Sequence, residues 1–206
     1  MTTAVDITKF CIAEGLGDLR DYLRRPMQFG DQVLASDGRI LVCIPGHSGH
    51  EEAPWGVRNF TRRIEQIIKE APLTWTPAAA IELPPPEPCA LCDGSGVMYR
   101  VDCHECDGEG ESVHGTHTYC CMECDGEGSV VTRHPSHGAR AQPCDICEGS
   151  GASIQPVTVG EVRVQRRYLA AIAELPGAQV APSHEGHLVF VFDGGGWGAL
   201  APLAMR

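Results

Sequence analysis

Eleven cysteines are present, and nine of them crowd between Cys89 and Cys147. Eight of those nine fall in four variants of one octapeptide. These are CALCDGSG from Cys89 to Gly96, CHECDGEG from Cys103 to Gly110, CMECDGEG from Cys121 to Gly128 and CDICEGSG from Cys144 to Gly151. Two thiolates three residues apart can hold one ion from a tight turn. The Gly-x-Gly that follows lets the backbone reach positive φ, so that amides point at the sulfurs. Each repeat supplies half of a tetrahedral site, and four repeats make two sites of four cysteines each. Such sites leave no open position for water and are structural rather than catalytic. The competing reading of any single Cys-x-x-Cys is a redox pair or two unpaired thiols, and that of the whole set is a disulfide framework. The segment has few large apolar residues and needs a staple. Zinc, binding with roughly 10–16 kcal/mol per structural site, would then supply its folding energy.

The elements that must carry these repeats follow from composition. The chain has 206 residues, 43% of them hydrophobic and 21% charged, enough for one packed domain with a small module. Gly (24) and Pro (15) together make almost a fifth of it, so part of the chain must be rich in turns. The net charge of −11 has the wrong sign for a protein that coats nucleic acid. Met1 to Gly15 shows no basic start followed by an apolar run, and no apolar stretch approaches the ~20 residues that span a bilayer. The expectation is a cytoplasmic protein without membrane contact, in which clustered cysteines hold metal rather than disulfides.

Three zones separate. Residues 1–87 read as the first half of an α+β domain, 88–151 as a zinc-binding insertion and 152–206 as the second half. A stiff proline-rich connector, Glu82 to Pro88, leads into the insertion. In the first zone, runs at Gln32–Leu34 and Arg39–Ile44 flank Asp37-Gly38, a hairpin signal. Val57, Phe60, Ile64, Ile67 and Ile68 share one face of a helix expected from Val57 to Ala71. In the last zone, alternation predicts a strand over Val157–Val164, followed by a helix from Gln165 to Leu175. Leu188–Phe192 reads as a buried strand, Gly194 to Gly196 as a turn and Trp197–Met205 as a final strand. Neither flank alone has a generous core, so the simplest economy is one domain interrupted by the cysteine-rich arm.

The four repeats resemble the cysteine-rich domain of DnaJ-type co-chaperones. That resemblance implies that the first and fourth repeats share one zinc, through Cys89, Cys92, Cys144 and Cys147. The second and third would share the other, through Cys103, Cys106, Cys121 and Cys124. The J-domain of that family, with its His-Pro-Asp, has no counterpart in the first 88 residues; His134-Pro135-Ser136 lies inside the zinc zone. Fold and metal carry over, and co-chaperone activity does not. Cys120 has no repeat partner, and Cys11 and Cys43 stand alone. With eight sulfurs already saturating two zincs, His104, His114, His117, His134 and His137 are expected to be surface histidines.

From Pro88 to Gly151 eleven Asp or Glu face three Arg, a net charge of −8. Eight thiolates with two Zn2+ would carry this to about −12, a surface that repels phosphates. The arm suits a basic or partly unfolded polypeptide, and nucleic acid is conceivable only through the flanking domain. A weaker resemblance, to a DNA sliding-clamp domain, lies in the flanks. It rests on Arg20 to Leu23 (RDYL), Leu34 to Leu41 (LASDGRIL), the helix opened by Tyr168-Leu169, and Leu188 to Asp193 followed by Gly198 to Met205. It implies a clamp-like fold with an Arg-x-x-Leu strand. Arg62-Arg63 and Arg166-Arg167 would be its basic helices, although solvated charged faces are the plainer reading.

The leading expectation is a non-enzymatic zinc-binding protein-interaction module with no catalytic residues. A phage or mobile-element origin, with a replication-associated role, would suit the clamp resemblance; a chaperone-like role is the other expectation. The alternatives are a thiol–disulfide oxidoreductase using one Cys-x-x-Cys, and a DNA-associated clamp-like accessory protein. A hydrolase is disfavoured: His47, His50 and His184 sit in Gly/Ser/Glu-rich loops without an evident partner.

Overall fold

A computed structural model describes residues 5–12, 20–47 and 49–203, the side chain of His114 excepted. The chain divides into two compact units, Met1–Pro85 with Ile154–Arg206, and Pro86–Ser153. The architecture is mixed α+β.

The first unit is built on one seven-stranded antiparallel sheet. Its strands are β1 (Met27–Phe29), β2 (Gln32–Ser36), β3 (Ile40–Pro45), β4 (Thr76–Pro77), β12 (Gln179–Pro182), β13 (Leu188–Phe192) and β14 (Gly196–Leu200). They lie in the order β1-β2-β3-β14-β13-β12-β4, so strands from both flanks interleave in one sheet. The junction is β3 against β14, with Trp197 opposite Cys43 and Leu200 opposite Ile40. Side chains alternate between two cores. Leu188, Phe190 and Phe192 enter one core with Ile40 and Val42, while Val189 enters the other with Leu41, Cys43 and Trp197. Both faces of β13 are therefore covered, as its unbroken apolar run requires. Phe190 and Phe192 sit directly opposite Gly198 and Gly196. A Cβ at either glycine would lie within 2.3 Å of the facing ring, so the glycines make room for the two phenylalanines.

Each face carries a different cover. The helix α1 (Trp55–Glu70) packs Ile64 and Ile67 onto the second core. On the first lie α2 (Arg166–Ala173), through Leu169 and Ile172, and a hairpin of β10 (Pro156–Val159) and β11 (Val162–Gln165). This hairpin corrects the single strand expected over Val157–Val164. Gly160 takes φ +58° and turns the chain back, so that Val159 faces Val162. The alternation survives because all four valines, at 157, 159, 162 and 164, point into the same core.

Three other expectations are corrected. Arg20 to Leu23 forms no strand: Asp21–Arg24 is a 3₁₀ turn, held by Leu23 N–H donating to Arg20 O. The last strand ends at Leu200, before Pro202; Ala204 and Met205 lie outside the described residues. On α1, Thr61 is fully buried while Phe60 stays 38% exposed. The Thr61 hydroxyl satisfies itself on Val57 O at 2.8 Å, which lets a polar residue take a core position.

The second unit has almost no core of its own. Its strands are β5 (Val97–Asp102), β6 (Glu111–His114), β7 (His117–Cys120), β8 (Ser129–Thr132) and β9 (Arg140–Pro143). They form a three-stranded sheet, β8-β5-β9, and a separate β6-β7 hairpin. Its two ends are tied, with Ser153 N–H donating to Glu87 O and Cys89 N–H to Gly151 O, each at 2.8 Å.

Candidate metal centres

Each repeat folds into the same knuckle. The first Gly donates its N–H to the carbonyl of the first Cys, at 3.1 Å from Gly94 to Cys89 and at 3.2 Å from Gly149 to Cys144. The second Gly donates to the second Cys sulfur: Gly96 to Cys92 Sγ at 3.3 Å, Gly110 to Cys106 at 3.2 Å, Gly128 to Cys124 at 3.3 Å and Gly151 to Cys147 at 3.3 Å. These turns need a left-handed backbone at both glycines and at the acidic residue before them. Asp93, Asp107, Asp125 and Glu148 lie at φ 52°, 49°, 48° and 53°. Asp tolerates this region better than most residues.

Knuckles then join in pairs about a local two-fold. Cys89 N–H donates to Gly151 O, and Cys144 N–H returns to Gly96 O, both at 2.8 Å; Cys103 with Gly128 and Cys121 with Gly110 repeat this at 2.9 Å. The second glycine of each repeat packs on the partner's first glycine. A Cβ at Gly96 would meet Gly149 O at 2.3 Å, and one at Gly128 would meet Gly108 O at 2.2 Å. The pattern G-x-G thus encodes two demands, a positive φ at both positions and no side chain at the second.

This pairing gathers Cys89, Cys92, Cys144 and Cys147 into one buried cluster, and Cys103, Cys106, Cys121 and Cys124 into another. Within each, every sulfur lies within 4.8 Å of the others. Sulfur–sulfur separations are 4.0 Å for Cys89–Cys144, 3.7 Å for Cys92–Cys147, and 3.8 Å for both Cys103–Cys121 and Cys106–Cys124. A tetrahedral zinc with Zn–S of about 2.3 Å has sulfur edges of ~3.8 Å, whereas a disulfide needs ~2.05 Å. The two groups fit two zinc ions.

Electrostatics agree. Burial pushes the Cys103 and Cys147 thiols up to about 12. Burial acts in the same sense on Cys92, but the Gly96 amide and hydrogen bonds from neighbouring sulfurs outweigh it and hold that thiol at about 7. Four thiolates in one buried cluster call for a compensating divalent cation, which zinc supplies. The chain thus holds a zinc-binding module. Comparison with protein-family models, curated proteins and solved structures finds no match.

The remaining candidates sit elsewhere. Cys120 is exposed and belongs to neither cluster; Cys11 is half-buried and Cys43 buried. Burial raises the Cys11 thiol to about 11 and Cys43 higher still. His104, His117, His134 and His137 are exposed, and the His114 side chain is outside the described part. The arginine pairs are engaged within the fold. Arg62 lies over Phe29 with 5.8 Å to the ring centroid, and Arg63 pairs with Glu185 at 2.7 Å. Arg166 donates to Pro84 O, and Arg167 to the Tyr168 hydroxyl, which in turn donates to Asp37. His47 Nδ1 lies 3.4 Å from Gln28 Nε2, and His184 lies 4.0 Å from Glu185. No helix among the described residues is long and apolar enough to cross a membrane. Sequence reasoning missed the tie between knuckles; the repeated second glycine was its signal.

Proposed function

We propose that this protein is a non-enzymatic interaction module whose zinc arm binds a basic or partly unfolded polypeptide. The observation that carries this reading is the surface the two closed centres support. Leu91, Val113, Tyr119, Met122, Val131 and Ile146 are all at least 40% exposed on the arm, amid eleven acidic residues and three arginines. Exposed apolar side chains on a rigid, anionic frame are suited to capturing apolar segments flanked by Lys or Arg. The eight clustered sulfurs fit metal, so on this reading no Cys-x-x-Cys pair is left free for thiol–disulfide exchange. A DnaJ-type descent of the arm fits the knuckle geometry, and the sheet unit serves as its scaffold.

The test is binding of a permanently unfolded, lysine-rich polypeptide to the zinc-loaded chain, against an acidic polypeptide of equal length. Binding should favour the basic probe, weaken with salt and vanish when a chelator removes zinc. Equal affinity for the acidic probe, or undiminished binding without metal, would sink the proposal.

A further inference from the structure

Between the second and third repeats, β6 and β7 form a sheet of two strands. β7 is exposed along its whole length, and so are Glu111, Ser112 and Val113 of β6. Two strands alone are marginal in water. Here the cysteine cluster pins their open end, where Cys121 N–H donates to Gly110 O at 2.9 Å. The turn at the other end leaves two residues between His114 and His117, which makes these a hydrogen-bonded pair. Alternation then makes Val113–Thr118 and Glu111–Cys120 the pairs whose backbone groups point away from the hairpin. The amides and carbonyls of Thr118 and Cys120 therefore line an outward edge of β7. Tyr119, 55% exposed, shares a face with His117, ring centroids 6.3 Å apart. Around the hairpin, from Cys103 to Gly128, there are seven Asp or Glu and no Lys or Arg.

We propose that the outer edge of β7 accepts an added strand from an extended, cationic polypeptide, its backbone paired with Thr118 and Cys120 and an Arg or Lys side chain laid on Tyr119. The proposal rests on the reading of the arm as a polypeptide-binding surface and gives that surface a mode. Main-chain pairing at an open edge provides affinity, and alternate side chains provide specificity. A residue directly opposite Tyr119 on a strand added to β7 comes within ~5 Å of it, close enough for a cation to meet the ring; a strand added to β6 would lie one strand farther away. Charge selects the occupant. A second copy of this chain would bring the same seven acids, and a nucleic acid would bring phosphates. Both are repelled, and a Lys- or Arg-bearing segment is drawn in.

The probe is a short fluorescent peptide of alternating arginine and valine, titrated by anisotropy into the zinc-loaded full chain. Thr118→Pro removes an outward N–H without touching the bonds inside the hairpin, and should weaken binding by about tenfold or more. Native mass measurement must show both zinc ions retained in that variant. If they are lost, Tyr119→Ala is the second variant; it should weaken the arginine peptide several-fold while leaving a norleucine analogue unchanged. If the wild type binds the peptide and both variants bind it equally well, the edge proposal falls and the arm still stands as a polypeptide-binding surface. If the wild type ignores the peptide, or prefers single-stranded DNA, both readings fall together.

Discussion

In the sheet unit the buried side chains are Leu, Ile, Val, Phe and their like, sorted into two cores by the faces of one sheet. In the arm the buried residues are eight cysteines, Gly96, Gly110, Gly128 and Met98. The first unit meets the entropy of ordering its chain with apolar area, the second with metal–sulfur bonds. The difference predicts independent failure. Stripping zinc should unfold the arm, seen as loss of dispersed amide signals from 89–151, and leave the melting of the sheet unit nearly unchanged. Phe190→Ala should do the reverse. It removes a fully buried ring and should cost the sheet unit about 3–5 kcal/mol, with both zinc ions still held. Loss of all signals together on chelation would show that the arm and the sheet are one cooperative system.

A second contrast lies inside the knuckle. Gly96→Ala drives a methyl into Gly149 O, and the carbonyl belongs to the partner knuckle rather than to a movable side chain. It should abolish the zinc of the Cys89 cluster. At Gly108 an added methyl would make only ordinary van der Waals contacts, with Asp102 Cβ at 3.5 Å and Gly128 O at 3.8 Å. Gly108→Ala should therefore cost no more than the left-handed backbone, about 1–2 kcal/mol, and keep its metal. Native mass spectrometry of the two variants checks both outcomes; retention of two ions in Gly96→Ala would mean that the knuckles can part without losing zinc.

The two centres also differ from each other. Relative exposure of the sulfur-bearing residues is at most 3% in the Cys89 cluster and reaches 7% in the Cys103 cluster. Buried Met98 packs on the former, while the apolar neighbour of the latter, Val130, is only partly buried. A chelator should remove zinc from Cys103, Cys106, Cys121 and Cys124 first. Metal release from Cys89→Ser and Cys103→Ser chains, each left with the other centre, gives the order directly; equal rates would mean that this difference in cover is irrelevant to exchange.

Much of this is legible in the sequence alone. The octapeptide spacing located every clustered sulfur, because metal geometry tolerates little variation. The Asp37-Gly38 hairpin and the buried run Leu188–Phe192 were visible for the same reason, a short-range signal with one solution. What escaped was decided by strand pairing and hydrogen bonding rather than by apolar pattern. β1 (Met27–Phe29) and β12 (Gln179–Pro182) are short and become strands through their partners, Gln32–Leu34 for β1, and Leu188–Val191 with Thr76–Pro77 for β12. Val157–Val164 misled because one alternating pattern serves a straight strand and a tight hairpin whose two arms face the same core. Thr61 takes a core position while Phe60 stays partly exposed, because a hydroxyl can be satisfied on its own helix, which apolar periodicity does not register.

The smallest expected effect belongs to His187. Its ring meets Phe60 edge-on, centroids 5.5 Å apart, with Arg63 of α1 and Glu185 of its own turn as the charges around it. Burial lowers its pKa from the ordinary value; Glu185 pulls the other way, and Arg63 adds to the lowering. The folded protein therefore prefers the neutral ring, and the unfolded chain takes up a proton at higher pH. The stability this confers is fully present above about pH 6.5 and drains away as pH falls from there through the folded value. Between about pH 7.5 and about pH 5.5, wild-type melting, followed by tryptophan fluorescence, should drop by ~2 °C more than that of His187→Gln. Comparing the two chains cancels acid effects common to both, including zinc release from the arm. Parallel curves would mean that the ring is as solvated in the fold as in the unfolded chain, and that the cover Phe60 gives it is too thin to matter.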